Sequence, residues 1–294
     1  MTSAAALAKS LASSRSSRAP PAGLEPATSG LEGPCSIHLS YGGLRQGESK
    51  ARLLSVVIAA TCDDRHMPVR VVVTTCAVTD DPSLLALLDS SEVERAERKR
   101  EPLPYISAHA LVRRALGATL QTDPRSLRFE RRCATCGSDR HGKPHIVGRP
   151  EWSFSLSYTG RAAVVALSRD GEVGIDVEET AEAGFGGFEQ VTLAASEVPA
   201  FASLAGEELL VARAQIWARK EAILKATGHG LVVDPTEVIV SGPHEPPALI
   251  EWQADPETPH PLALTDLDRV PAGHRAAVAV LADGSIDVSW HHES

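Results

Sequence analysis

The sequence predicts an α+β protein. Three observations carry this: short β-branched runs of strand character, two longer stretches with apolar residues at helical spacing, and an element order that mixes the two without strict alternation. Val69 to Val78 is rich in β-branched residues and reads as a strand. Ser83 to Leu88 is apolar and reads as helical, and the charged stretch Ser90 to Glu101 is a solvated helix or loop. Tyr105 to Leu120 has helical spacing and stops at Thr122-Asp123-Pro124. Leu127 to Phe129 suggests a short strand, and Cys133 to Pro144 a turn. Phe154 to Ser157 and Ala162 to Leu167 form a hairpin over Thr159-Gly160, followed by a short strand at Gly174 to Val177 and a loop at Gly184 to Gly187. Val211 to Thr227 is the second helix, with Gly228 and Gly230 placed to cap it. Val238 to Ser241, Ala248 to Gln253, Ala276 to Leu281 and Ile286 to Trp290 make a strand-rich end.

The chain has 294 residues, enough for one large domain or two smaller ones, and at 43% hydrophobic it can bury a core. A formal charge of −9 gives no footing for nucleic acid. No apolar run approaches the ~18 residues of a membrane span. The cysteines are Cys35, Cys62, Cys76, Cys133 and Cys136, an odd number without a secretory signal, which points to a reducing cytoplasm. Residues 1–66 read differently from the rest. Met1 to Pro21 is Ala/Ser/Arg-rich without a period. Codons for Gly23-Leu24-Glu25-Pro26 and Leu39-Ser40-Tyr41 can be the reverse complements of the T and D arms of a tRNA gene. The two methionines are Met1 and Met67. The expectation is therefore a mis-annotated leader with translation starting at Met67; a disordered tail is the alternative.

Two constellations carry chemistry. In Gly174-Ile175-Asp176-Val177-Glu178, strand alternation puts Asp176 and Glu178 on one face. Paired carboxylates repel unless a cation or a proton intervenes, and hard oxygen ligands suit Mg²⁺. A solvated strand edge would look the same. In Ile216 to Ala226, Trp217, Glu221 and Lys225 share a helix face at spacing four. A surface Glu221–Lys225 pair, worth about 0.2–0.5 kcal/mol, explains the helix but leaves Trp217 on a charged face.

Taken in order, Gly142-Lys143-Pro144, Phe154-Ser155-Leu156-Ser157, Gly-x-Asp-x-Glu from Gly174 and Trp-x-x-Lys-Glu-x-x-x-Lys-Ala from Trp217 resemble the signature of the 4'-phosphopantetheinyl transferase superfamily. The intervening length resembles the larger, surfactin-synthetase-type branch. Glu92 to Leu116, with Leu111-Val112-Arg113, is similar to that family's N-terminal region. The resemblance implies two similar α/β half-domains in tandem, 67–171 and 172–294, related by pseudo-twofold symmetry, in a monomer with its site between the halves. It implies Mg²⁺-dependent transfer of the phosphopantetheine arm of coenzyme A to a serine of an apo carrier protein or domain (peptidyl, acyl or polyketide), often in secondary metabolism. Neither nucleic acid nor membrane is implied. By the same resemblance Asp176, Glu178 and Glu221 hold Mg²⁺, and Glu221, Lys225 and Glu197 form the catalytic set. Lys143, Ser157, Tyr158, Lys220 and Lys225 contact coenzyme A. The serine proton passes to Glu221 or to a metal-bound water.

The chain departs from the family pattern twice. After Ser157 the family has histidine; here Tyr158 can donate a hydrogen bond but carries no charge. Before the Leu111-Val112-Arg113 helix the family has arginine; here Pro104-Tyr105 stands there, with Arg98, Lys99 and Arg100 nearby. These losses favour a second reading, a coenzyme A- or nucleotide-binding module without catalysis; the intact Asp176, Glu178, Glu221 and Lys225 oppose it. A third, the short trimeric holo-carrier-synthase branch, fits the length less well than two half-domains. Separately, Cys133-x₂-Cys136-x₄-His141-x₃-His145 has the spacing of a zinc site; two reduced thiols in a hairpin are the alternative.

Overall fold

The computed structural model describes residues 67–132, 137–138, 142–254 and 261–292. The leader expected at 1–66, and Cys133, Cys136 and His141 of the zinc expectation, lie outside the described residues.

Strands and helices mix as the α+β reading requires. The strands are β1 (Val69–Ala77), β2 (Phe129–Arg132), β3 (Lys143–Ile146), β4 (Ser153–Tyr158), β5 (Ala162–Ser168), β6 (Val173–Glu179), β7 (Val238–Val240), β8 (Leu249–Trp252), β9 (Ala263–Leu267), β10 (His274–Val280) and β11 (Ile286–His292). The α-helices are α1 (Ser90–Glu97), α2 (Leu103–Leu120), α3 (Phe188–Thr192) and α4 (Gly206–Thr227). One sheet has the order β11-β1-β5-β4 and another β6-β10-β9; β2-β3 and β7-β8 are two-stranded ribbons. All pairings are antiparallel except β1 with β11.

β5 explains the layering. All seven of its residues are buried, so it reads as an unbroken apolar run rather than an alternating one. Ala163, Val165 and Leu167 pack with Ala108, Leu111, Val112 and Leu116 of α2. Val164 and Ala166, on the opposite face, pack with Val173, Ile175 and Val177 of β6 and Val278 of β10. On the far side of β10, Ala277 and Ala279 meet Ala218, Ala222 and Ile223 of α4. The result is two sheets face to face with a helix outside each. α4 comes close to β6 because Gly174 has no side chain: a Cβ there would lie 2.0 Å from the Ala222 carbonyl oxygen and 2.3 Å from the Ala226 nitrogen. Gly228 ends α4 in the left-handed conformation at φ 77°, where a residue without Cβ is at ease.

The helix α1 begins with a capping box in which Asp89 and Glu92 exchange backbone bonds. Arg113, fully buried in α2, binds it from the other side: Nε donates to Glu92 Oε2 at 2.8 Å and Nη2 to Asp89 Oδ2 at 2.9 Å, while Nη1 donates to the carbonyls of Pro124 and Leu127. This gives the Leu111-Val112-Arg113 stretch a structural task.

Several boundaries differ from the sequence expectation. Pro82–Leu87 is a 3₁₀ turn capped by Asp81 rather than an α-helix. Lys143–Ile146, with its first two residues expected in a turn, is a strand because it pairs with β2, Phe129 opposite Ile146. Ala263–Leu267 is a strand that its Ala-Leu-Thr-Asp-Leu composition does not announce. The strand β11 does not join the neighbouring β6-β10-β9 sheet but pairs with β1, Val69 opposite Ile286. Among the described residues no helix is long and apolar enough to cross a membrane.

Candidate active site

The strand β6 and the helix α4 bring the motif residues together. Asp176, Glu178, Trp217, Glu221 and Lys225 line one cleft of about 390 Å³, with Ser157 and Tyr158 from the end of β4. Lys225 does not make the helical surface pair with Glu221. Its ammonium bonds Asp176 Oδ1 across the β6–α4 contact and donates to the Ile175 carbonyl at 3.2 Å. Ser157 Oγ donates to the same Asp176 Oδ1 at 2.8 Å. Trp217, unexplained on a charged face, turns into the cleft that Glu178 also lines.

The electrostatics are those of crowded acids. Burial raises the Asp176 carboxyl, although Lys225 and Ser157 oppose the rise. Burial and the adjacent Asp176 push Glu178 well above its usual range. Burial pushes Glu221 up to about 7, against the pull of Lys225 and with a further push from Asp176. Asp176 Oδ2 and Glu221 Oε1 are buried without a hydrogen-bond partner. Buried carboxylate oxygens are rarely left so, and a divalent cation would satisfy both while cancelling the repulsion. Among the described residues no three His, Cys, Asp or Glu side chains already converge as a metal cage. Mg²⁺ ordinarily takes one or two carboxylates and fills its other positions with water and phosphate oxygens. Asp176 and Glu221 are the fitting donors, with Glu178 beside them.

A second cavity, of about 500 Å³, shares Tyr158, Lys225, Gly230 and Leu231 with this cleft. Tyr105, His109, Arg131, Lys143, Pro144 and Phe154 line it further. Tyr158 stands where the two meet. Burial pushes its phenol up to about 12, so it offers a neutral hydroxyl where the resembling family has an imidazole. Tyr105, which follows Pro104, stacks on His109 at 3.9 Å between ring centroids, and Lys99 Nζ lies 5.1 Å from the Tyr105 ring centre.

Two expected residues stand outside both cavities. Lys220 and Glu197 pair with each other in the core. Lys220 Nζ donates to Glu197 Oε2 at 2.5 Å, to the Thr192 carbonyl at 2.7 Å and to the Pro235 carbonyl at 3.0 Å. Glu197 also accepts the Ala194 and Val240 amides. The physical reason is helical rotation: Lys220 lies about 100° around α4 from Glu221 and points to the buried side. Lys143 lines the second cavity, but its ammonium is turned inward, onto Glu172 Oε2 at 2.7 Å and the carbonyls of Val173 and Ala226 at 2.8 and 3.3 Å.

Sequence reasoning noted Tyr105 only as a departure from the family pattern and missed His109, Arg131 and His229. His229 lies between the two capping glycines and lines the second cavity; the Gly-His-Gly string was legible only as a helix end. Arg131 faces the same cavity from β2, and nothing in its neighbourhood marks it.

Comparison with known proteins gives two relatives and one family model. The chain is 32% identical over 164 residues to slr0495 of Synechocystis sp., provisionally named a 4'-phosphopantetheinyl transferase, covering 54% of this chain and 64% of the relative. It is 29% identical over 217 residues to HetI of Nostoc sp., named a 4'-phosphopantetheinyl transferase, covering 71% of this chain and 85% of that relative. The chain thus spans less than two thirds of the length of the Synechocystis relative. Residues 172–279, which carry Asp176, Glu178 and Glu221 and the helix face that meets them, match the model of the 4'-phosphopantetheinyl transferase superfamily.

Proposed function

We propose that this chain transfers the 4'-phosphopantetheine arm of coenzyme A to a serine hydroxyl of an apo carrier protein, with Mg²⁺ held by Asp176 and Glu221 and with Glu178 beside them. The observation that carries the reading is the pair of unpartnered buried carboxylate oxygens, Asp176 Oδ2 and Glu221 Oε1, beside Lys225 in one cleft. When bound, Mg²⁺ supplies positive charge to the pyrophosphate of coenzyme A. The serine oxygen forms a bond to the β-phosphorus, the bond to the bridging oxygen breaks, and adenosine 3',5'-bisphosphate leaves. Such transfer needs positioning and charge stabilisation more than covalent help. Lys225 offers its ammonium to the charge that develops on the leaving oxygen. The Glu221 carboxylate has two oxygens, so one can hold the cation while the other accepts the serine proton. Ser157 orients Asp176.

The proposal extends to architecture. β1-α2-(β2-β3)-β4-β5 and β6-α4-(β7-β8)-β9-β10 repeat one order of strand, helix, ribbon and two strands, with sheet orders β1-β5-β4 and β6-β10-β9. This repeat supports two half-domains of the larger, surfactin-synthetase-type branch; a monomer acting in the cytoplasm is part of the proposal. The test is the mass of a panel of apo carrier proteins incubated with coenzyme A and the chain, with and without Mg²⁺. Gain of the phosphopantetheine mass on at least one carrier, only with Mg²⁺, is the expected result. Binding of coenzyme A without transfer to any carrier would favour a non-catalytic binding module.

A further inference from the structure

The strand that carries the acids has an unusual outer edge. β6 pairs with β10 on one side; on the other it faces β4, the edge of the first sheet, without a backbone ladder. An unmet strand edge normally recruits another strand, and buried backbone groups need partners. Here side chains take the place of the ladder. The Val173 amide donates to Ser153 Oγ at 3.0 Å and the Ile175 amide to Ser155 Oγ at 3.1 Å. The Val173 carbonyl accepts from Lys143 Nζ at 2.8 Å and the Ile175 carbonyl from Lys225 Nζ at 3.2 Å. One residue further on, Ser157 reaches Asp176 itself. The three serines alternate along β4, so strand geometry delivers all three hydroxyls to the same seam. Glu172 closes it, accepting from Ser153 Oγ at 2.9 Å and from Lys143 Nζ at 2.7 Å.

An ammonium has three donors. Those of Lys143 meet Glu172 Oε2, the Val173 carbonyl and the Ala226 carbonyl, and none is left over.

We infer that Ser153, Ser155 and Lys143 are positioning residues: they replace the missing backbone ladder between β4 and β6, fix where Asp176 and Glu178 stand, and keep the Lys143 ammonium off the substrate. The seam gives a reason for the serines in Ser153-Phe154-Ser155-Leu156-Ser157. A continuous backbone ladder would close β4 onto β6, whereas a hydroxyl spacer holds them apart at the mouth of the cleft. The kinetic part rests on the proposed transfer reaction; the structural part does not.

The experiment uses the full chain with Ser155→Ala, Ser155→Thr, Lys143→Met, Glu172→Gln and the Lys143→Met/Glu172→Gln double variant. It reads kcat, KM for coenzyme A, half-saturating Mg²⁺ and amide hydrogen exchange. Ser155→Ala should lower kcat or raise half-saturating Mg²⁺ by about 10–100-fold, as loss of a group supporting a metal ligand does. KM for coenzyme A should stay within about twofold, and exchange at the Ile175 amide should accelerate. Ser155→Thr, which keeps the hydroxyl, should restore both. Lys143→Met should act through kcat, and Glu172→Gln should add little to it. A rise of about tenfold or more in KM for coenzyme A with kcat unchanged in Lys143→Met would make that lysine a substrate contact and overturn the inference. Wild-type kcat and Mg²⁺ response in Ser155→Ala would reduce the seam to a structural feature, whatever happens to the melting temperature. Should the wild-type chain transfer nothing, the transfer reading has failed, and unchanged Ile175 exchange in Ser155→Ala then decides against the seam by itself.

Discussion

Two lysines of α4, Lys220 and Lys225, each pair with a buried carboxylate, and the two pairs are finished differently. Around Lys220 and Glu197 the bonding is complete: three acceptors meet the ammonium, and both carboxylate oxygens accept a backbone amide. Around Lys225 and Asp176 it is incomplete, because Asp176 Oδ2 and the neighbouring Glu221 Oε1 have no partner. Both are buried pairs of a lysine and a carboxylate. What separates a lock from a site is the unfilled bonding capacity, since a saturated pair has nothing to offer a ligand and an unsaturated one is costly until something binds. The saturated pair ties α4 to the segments at Thr192, Pro235 and Val240 and so holds the face that carries Glu221 into the cleft.

The largest effect should come from breaking the saturated pair. Lys220→Met leaves Glu197 charged and buried, which should cost about 3–5 kcal/mol in denaturant unfolding. Adding Glu197→Gln should recover part of the loss. A Lys220→Met chain of wild-type stability with impaired transfer would place Lys220 at the substrate after all, and the contrast would dissolve. The unsaturated pair should respond the other way round. Lys225→Met should lower turnover about 10²–10³-fold with a smaller loss of stability, measured by comparing initial rates and melting curves on the same preparations. Wild-type turnover would make Lys225 a second lock.

A smaller effect is expected in the knot between α1 and α2. Burial pushes His109 below its usual 6.5 despite the opposing Glu92 contact. Burial alone would raise Glu92, but the His109 bond, the Asp89 amide and the Arg113 charge outweigh it and hold Glu92 below 4.5. For both groups the unfolded chain binds protons more readily than the folded one. Stability contributed by His109 is therefore present above about pH 6.5 and lost on acidification; that from Glu92 is present above about pH 4.5 and lost as the pH falls further. Melting temperature should decline in these two windows, and His109→Gln should flatten the upper one. A melting temperature independent of pH from 7 down to 5 would contradict the assignment.

Much of this was legible from residue order, and the boundary of legibility is physical. β6 and α4 could be placed because alternation and helical spacing are local properties, and Gly174 before Asp176 marks a close approach that the structure locates against Ala222 and Ala226. Partner choice was not legible. Lys220 and Lys225 sit in the same motif, and only the rotation of α4 against its neighbours sends one into the core and the other to the cleft. Nor could β11 be assigned to the sheet of β1, more than 200 residues away, because no local signal encodes such a pairing. Lys143 lay in a motif whose resemblance implied a coenzyme A contact, and the structure turns its ammonium inward onto β6 and α4. The serine seam escaped because a hydroxyl that replaces a ladder bond looks, in sequence, like any strand serine.

The claim that the unsaturated cluster is the reacting centre is tested most directly by one mass measurement. An apo carrier that the wild-type chain converts would be incubated with coenzyme A, Mg²⁺ and the Asp176→Ala chain, after its fold has been checked by melting. The account predicts a folded variant and a carrier whose mass does not change. A full phosphopantetheine mass shift at the wild-type rate would contradict it and remove these acids from the metal site.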